Sequence, residues 1–88
     1  MKTTLFLPLK KEWYNLIDDG IKLEEYREVK PYWSKRISRE PSNVVFTYGY
    51  TRKRMSFHIE SISIGYGRTD WGAPKYEVYI IKLGKRIY

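Results

Sequence analysis

Residues 20–28 read Gly20-Ile21-Lys22-Leu23-Glu24-Glu25-Tyr26-Arg27-Glu28. Charge is dense here, yet the stretch has to join a helix to a sheet. Gly20 fits the position just past a helix end, where a left-handed backbone is needed. From Lys22 to Val29 the chain is expected to be extended, so Leu23, Glu25, Arg27 and Val29 share one face. Leu23 and Val29 are core candidates, which turns Glu25 and Arg27 inward, to the mouth of the sheet. Buried charges need partners. Glu25 and Arg27 satisfy each other or Lys22 as a structural ion pair, or the three line a cleft. In a cleft, lysine and arginine meet phosphate or a polarised carbonyl, and glutamate accepts from a base amino group or acts as a general base. A lysine desolvated beside an arginine has its pKa pushed down, and the glutamate opposes that push.

Upstream, Thr3 to Leu7 is a short apolar run that suits a first strand. Pro8 suits the first turn of a helix. Leu9, Trp13, Leu16 and Ile17 then make one apolar stripe at helical spacing. The charges oppose the helix dipole, with Lys10 and Lys11 at the start and Asp18 and Asp19 at the end. Packing by Trp13 and its neighbours has to outweigh that, and lysines at a helix start also suit an anionic ligand. Downstream, Pro31 opens a short helical turn through Tyr32, Trp33 and Ile37, and Pro41-Ser42-Asn43 is a turn. Val44 to Tyr50 is a strand, Thr51-Arg52-Lys53-Arg54 a basic hairpin connection, and Met55 to Ile64 the returning strand. Its alternation shifts partway, which predicts a bulge near Glu60 or Ser61. Gly65 to Pro74 is a glycine-rich loop whose spacing matches neither the P-loop nor the dinucleotide fingerprint. Tyr76 to Leu83 is apolar on both faces, as in a central strand. One main N-terminal helix, a short second helical turn and about five strands place residues 1–88 in the α+β class, as a single small mixed β-barrel domain.

The chain has 88 residues, enough for one domain at most. Hydrophobic residues are 42% and aromatics 17%, nine of them Tyr, which favours sheet over helix. There is no Cys and one His. That excludes a disulfide scaffold, a thiol nucleophile and Cys- or His-rich metal sites, and nothing calls for a cofactor. No apolar run approaches about 18 residues, so no membrane span is expected. The start, MKTTLFLPLK, breaks at Pro8 and Lys10 and lacks a small-residue cleavage site, so a cytoplasmic location is the default expectation; the oligomeric state is open, with a monomer as the default. The net charge is +7; residues 1–44 carry nine basic and seven acidic side chains, residues 45–88 eight and three. A field of that sign attracts phosphates.

Several residues support a polyanion partner, each with a plainer role beside it. Arg52, Lys53 and Arg54 at a hairpin tip clamp a phosphate backbone, or keep a solvated turn and sheet edge soluble. Arg68 and Lys75 are expected near the same end. Tyr66 and Trp71, and less so Tyr48 and Tyr50, suit base stacking; in a chain this small aromatics also build the core. His58 lies opposite Met55 and Phe57, and suits a satisfied or solvent-facing histidine better than a catalytic base. Ser34, Ser38 and Ser42 have no His–acid partner nearby in sequence, so a serine triad is not supported.

Gly20-x-Lys22-x-x-Glu25-x-Arg27 after an amphipathic helix resembles the signature of ASCH domains, small β-barrels related to the RNA-binding PUA fold. The likeness extends to Leu7-Pro8-Leu9 and to Trp71-Gly72-Ala73-Pro74 with the closing strand up to Leu83. The resemblance implies a cleft beneath a PUA-like barrel, floored by Lys22, Glu25 and Arg27 and open to a nucleotide or single-stranded RNA. Some small ASCH proteins are amidohydrolases that deacylate N4-acetylcytidine with a lysine, a threonine and a separate glutamate. Lys22 matches the lysine, but Glu25 stands in the threonine position. The separate acid has no counterpart beyond Asp70 in the Gly65–Pro74 loop. RNA or nucleotide binding is therefore the leading expectation, through Lys22, Glu25, Arg27, Arg52, Lys53, Arg54, Tyr66, Arg68 and Trp71. The alternatives are a metal-independent amidohydrolase, with Lys22 and Glu25 catalytic and Arg27 holding Glu25, and a protein-interaction domain using the barrel edge.

Overall fold

Leu5, Leu7 and Leu9 are buried while Thr4, Phe6 and Pro8 face outward. That alternation defines β1 (Thr4–Leu9) in the computed structural model, which describes residues 3–88. Pro8 thus lies in a strand, not in the first turn of the helix. β1 is an edge strand, hydrogen-bonded only to β3, so the missing N–H removes no ladder bond. The helix α1 (Lys11–Asp18) starts three residues after Pro8 and buries Tyr14 and Ile17, with Trp13 and Leu16 half-buried. Two of the four charges that oppose its dipole find partners elsewhere: Asp18 pairs with Arg86 at 2.8 Å, and Lys11 lies 5.4 Å over the Tyr48 ring.

The helix ends in a Schellman motif. Gly20, at φ 75°, donates to the Ile17 carbonyl at 3.0 Å, and Ile21 to that of Leu16 at 2.9 Å. β2 (Glu24–Glu28), α2 (Pro31–Ile37), β3 (Asn43–Tyr48), β4 (Arg54–Gly65), one 3₁₀ turn (Thr69–Trp71) and β5 (Val78–Arg86) follow. The five strands form one curled half-barrel sheet in the order β1-β3-β4-β5-β2, and the fold is α+β. β1 runs parallel to β3, and the other pairs are antiparallel. β4 pairs first with β3 and then with β5, and the β5 register shifts between Phe57 and Ser61, where the bulge was expected.

β5 lies between β4 and β2, and both of its faces are used. Ile81 joins the larger core with Leu7, Tyr14, Val44, Phe46 and Met55. Val78 joins a smaller one with Tyr26, Trp71 and Ala73. β5 starts at Val78, leaving Tyr76 exposed in the preceding loop, and runs on to Arg86. The short helix expected at Pro31 is α2; its Ser34 hydroxyl meets the Tyr79 hydroxyl at 2.6 Å, and Trp33 packs on the larger core.

Leu23 and Val29 are not core residues: they are 56% and 46% exposed. Both lie just outside the five residues of β2, an edge strand of the sheet. Among the described residues no helix is long and apolar enough to cross a membrane.

Candidate functional site

The Schellman motif fixes where Lys22 leaves the helix, because its N–H also donates to the Leu16 carbonyl at 3.0 Å. The side chain turns inward and is 0% exposed. Its Nζ donates to the Trp71 carbonyl at 2.8 Å and lies 3.1 Å from Glu25 Oε1. The ammonium also faces the rings of Tyr26 at 4.5 Å and Trp13 at 5.6 Å. Burial lowers the Lys22 pKa below the ordinary lysine value, against the raising effect of the Glu25 carboxylate. Of the two opposed effects expected from the sequence, desolvation wins.

Glu25 is buried too, and its Oε2 accepts from Arg27 Nη1. Arg27 Nη1 also donates to its neighbour's carbonyl on Tyr26 at 2.8 Å, and Nη2 donates to the Pro8 carbonyl at 3.1 Å. A continuous chain therefore runs from the Trp71 carbonyl through Lys22, Glu25 and Arg27 to Pro8. It ties the loop before β5 to the helix cap and spans the two edge strands, β2 and β1. Two cations share one anion, so the site carries a surplus positive charge. Arg27 has five N–H groups; Nε–H and one on Nη2 have no acceptor among the described residues.

Above this chain lies a cleft of about 270 Å³ lined by Lys10, Trp13, Glu25, Arg27 and Trp71. A second cleft, about 340 Å³, is lined by Arg27, Trp33, Pro74 and Tyr76. The two share Tyr26, Arg27 and Gly72 and so adjoin as one groove. All three tryptophans of the chain border it. The loop approaches so closely because it has glycine at two points. A Cβ on Gly72, at φ 93°, would sit 2.9 Å from the Trp13 ring, and one on Gly67 2.5 Å from the Tyr26 ring. Tyr26 donates its hydroxyl to Glu24 at 2.8 Å and accepts from the Arg68 N–H at 3.1 Å; burial holds its phenol well above the usual tyrosine pKa. A larger cleft of about 480 Å³ lies between Ile37, Pro41 and β4. None of its lining residues among those described is basic, and Glu60 in that lining holds Lys82 at 3.2 Å.

The residues singled out from the sequence divide accordingly. Glu25, Arg27 and Trp71 line the cleft, while Lys22 lies enclosed beneath it and is not among the lining residues. Arg68 covers one face of Trp71 at 3.8 Å and is held by both Asp70 oxygens, at 3.0 and 2.7 Å. That pairing lowers the Asp70 pKa. Arg68 thus braces the indole, and that ring face is not open to a base. Tyr66 is 72% exposed and borders neither cleft. Arg52, Lys53 and Arg54 are exposed at the β3–β4 turn without a carboxylate partner among the described residues. Gly49 donates to the Leu9 carbonyl at 2.8 Å, which brings that turn beside the end of β1 and the Lys10 rim. Arg68 and Lys75 belong instead to the loop after β4, so the twelve residues of β4 separate them in the fold from the hairpin.

Tyr48 stacks on Tyr14 at 5.2 Å and is part of the packing, whereas Tyr50 is fully exposed. His58 Nδ1 meets Asn43 Oδ1 at 3.0 Å on the surface. The Ser34 and Ser38 hydroxyls bond Tyr79 and the Lys35 carbonyl, so neither belongs to a triad. Trp13 and Trp33 are the site residues that the sequence assigned elsewhere, to the core stripe and the second helix, whereas Lys10 was already a candidate for an anionic ligand at the helix start. No protein-family model matches the chain, and neither does any curated protein or solved structure compared with it.

Proposed function

We propose that the groove binds a nucleotide of single-stranded RNA, with the base in the cleft over Glu25 and Arg27. The observation that carries this reading is the buried Lys22–Glu25–Arg27 chain beneath a cleft walled by Trp13 and Trp71. The cleft is slightly smaller than drug-sized pockets of roughly 300–1,000 Å³, which suits one base or nucleoside. Each Glu25 oxygen keeps a spare lone pair for an exocyclic amino group, and Arg27 keeps N–H groups for a neighbouring ring nitrogen or carbonyl. Lys10 at the rim is free of ion pairs among the described residues and suits the phosphate. A base stacked on the half-buried Trp13 gains roughly 1–3 kcal/mol, while the buried Trp71 bounds the cleft. The likeness of Gly20–Arg27 to the ASCH signature points the same way, and we read the curled sheet as PUA-like.

The amidohydrolase alternative requires Lys22 to touch a substrate carbonyl or water. Its ammonium is sealed by Trp71, Glu25, Tyr26 and Trp13, so Lys22 serves as the positioning residue for Glu25. The test is fluorescence anisotropy with a labelled single-stranded RNA, run beside incubation with N4-acetylcytidine. Binding is expected at low ionic strength, falling steeply with salt. Arg27→Gln is expected to weaken it about 10-fold or more, given roughly 1.5–3 kcal/mol for a hydrogen bond to a charged group. No release of acetate is expected. No RNA binding at low salt overturns the proposal, and deacylation that disappears in Lys22→Met restores the enzyme.

A further inference from the structure

We infer that α2 carries a phosphate-binding extension of the groove, so that the ligand is a strand of several nucleotides and not a free nucleotide. The inference rests on the function proposed above and deepens it. It starts from a ladder of side chains. The Arg27 guanidinium lies 5.3 Å over the Trp33 ring. Trp33 meets Tyr32 edge to face at 4.7 Å. Arg36 then lies 3.5 Å over the Tyr32 ring, and its Nη1 donates to the Tyr32 carbonyl at 2.9 Å. The ladder leads from the groove across α2 to a further cleft of about 290 Å³, lined by Thr4, Phe6, Arg36 and Arg39.

That cleft is built for an anion beside a base. Neither Arg36 nor Arg39 has a carboxylate partner among the described residues. Stacking and its own hydrogen bond already hold Arg36 in place, so it loses little freedom on meeting a phosphate. Arg36 covers one face of Tyr32, so the open aromatic lining this cleft is Phe6, which exposes more than half of its surface, and an aromatic beside fixed guanidiniums is an element of sequence-tolerant single-strand binding. The plainer role for Arg36, with Lys35, is to complement the dipole in the last turn of α2. That role affects helix stability alone and gives no length dependence.

The experiment compares cytidine monophosphate, a dinucleotide and an RNA of about eight nucleotides, within the usual single-strand site size. Binding is read by tryptophan fluorescence and anisotropy against the wild-type protein and Arg36→Gln/Arg39→Gln. The longer RNA is expected to bind at least 10-fold tighter than the dinucleotide. In the double variant that gain is lost, and the salt slope falls by about 0.7 for each phosphate contact removed from a single strand. Mononucleotide binding is unchanged. Arg39→Gln alone, at an exposed side chain, is expected to lose part of the gain, and it keeps the test open should the double variant disturb α2. Equal affinity for the short and long RNA, or a length gain untouched by either variant, overturns the inference and leaves the nucleotide cleft standing. Wild-type protein that binds none of the three overturns the cleft itself.

Discussion

Lys22 is the residue on which the site is built. It lies under the cleft and reaches no ligand; its charge holds Glu25, and Glu25 holds Arg27. Removing either partner of the Lys22–Glu25 pair therefore has unequal effects. Glu25→Ala strands a buried ammonium and is expected to cost about 3–5 kcal/mol. Lys22→Met leaves Glu25 paired with Arg27, and is expected to cost less, about 1–2 kcal/mol. The pH dependence has a definite sign. The folded Lys22 pKa lies below its unfolded value of 10.5. Between the two the unfolded chain binds more protons, so stability from this group rises with pH. In Glu25→Ala the opposing carboxylate is gone, the folded pKa drops further, and the deficit shrinks as pH rises towards 10.5. Urea unfolding of both variants across neutral to alkaline pH checks this; equal, pH-independent losses would contradict it. The meeting of these three side chains was legible in their spacing after Gly20. The exposure of Leu23 and Val29 was not, because period-two alternation does not reveal that a strand lies at the edge of a sheet.

At the scale of elements, two left-handed glycines set the site from opposite sides. Gly20 closes α1 and aims Lys22, while Gly72 lets the loop lie on the Trp13 ring. A Cβ at Gly20 meets open space, so Gly20→Ala carries only the backbone strain, roughly 1–2 kcal/mol. Gly72→Ala adds overpacking against a rigid indole, typically 1–3 kcal/mol more. Thermal unfolding is expected to rank Gly72→Ala as the more destabilised, with a change in tryptophan emission that Gly20→Ala lacks; the reverse order would contradict this account. Gly20 was readable from its place after a helical stripe. Gly72 was not, since its need arises from a helix distant in sequence. Pro8 misled for a related reason: a proline suits both a helix start and an edge strand, and only the pairing of β1 with β3 separates them.

Across the whole molecule, the α+β class, the strands, the bulge and the central place of β5 followed from periodicity and turn residues. The half-barrel shape did not, because it depends on which strands end up at the edges. The +7 charge is likewise a property of the whole chain. Its distribution matters more: Lys10 rims the cleft, the Arg52–Arg54 turn lies beside it, and Arg36 and Arg39 continue it across α2. The three tryptophans report directly on that groove. The deciding measurement is a two-dimensional NMR titration of their indole N–H groups with single-stranded RNA at low salt. The Trp13 and Trp71 resonances are expected to shift and saturate together, and Arg27→Gln to abolish saturation at the same concentrations. Indole signals that stay fixed while RNA is added, or RNA that binds while only backbone signals of the Arg52–Arg54 turn move, would contradict a ligand cleft above the Lys22–Glu25–Arg27 chain.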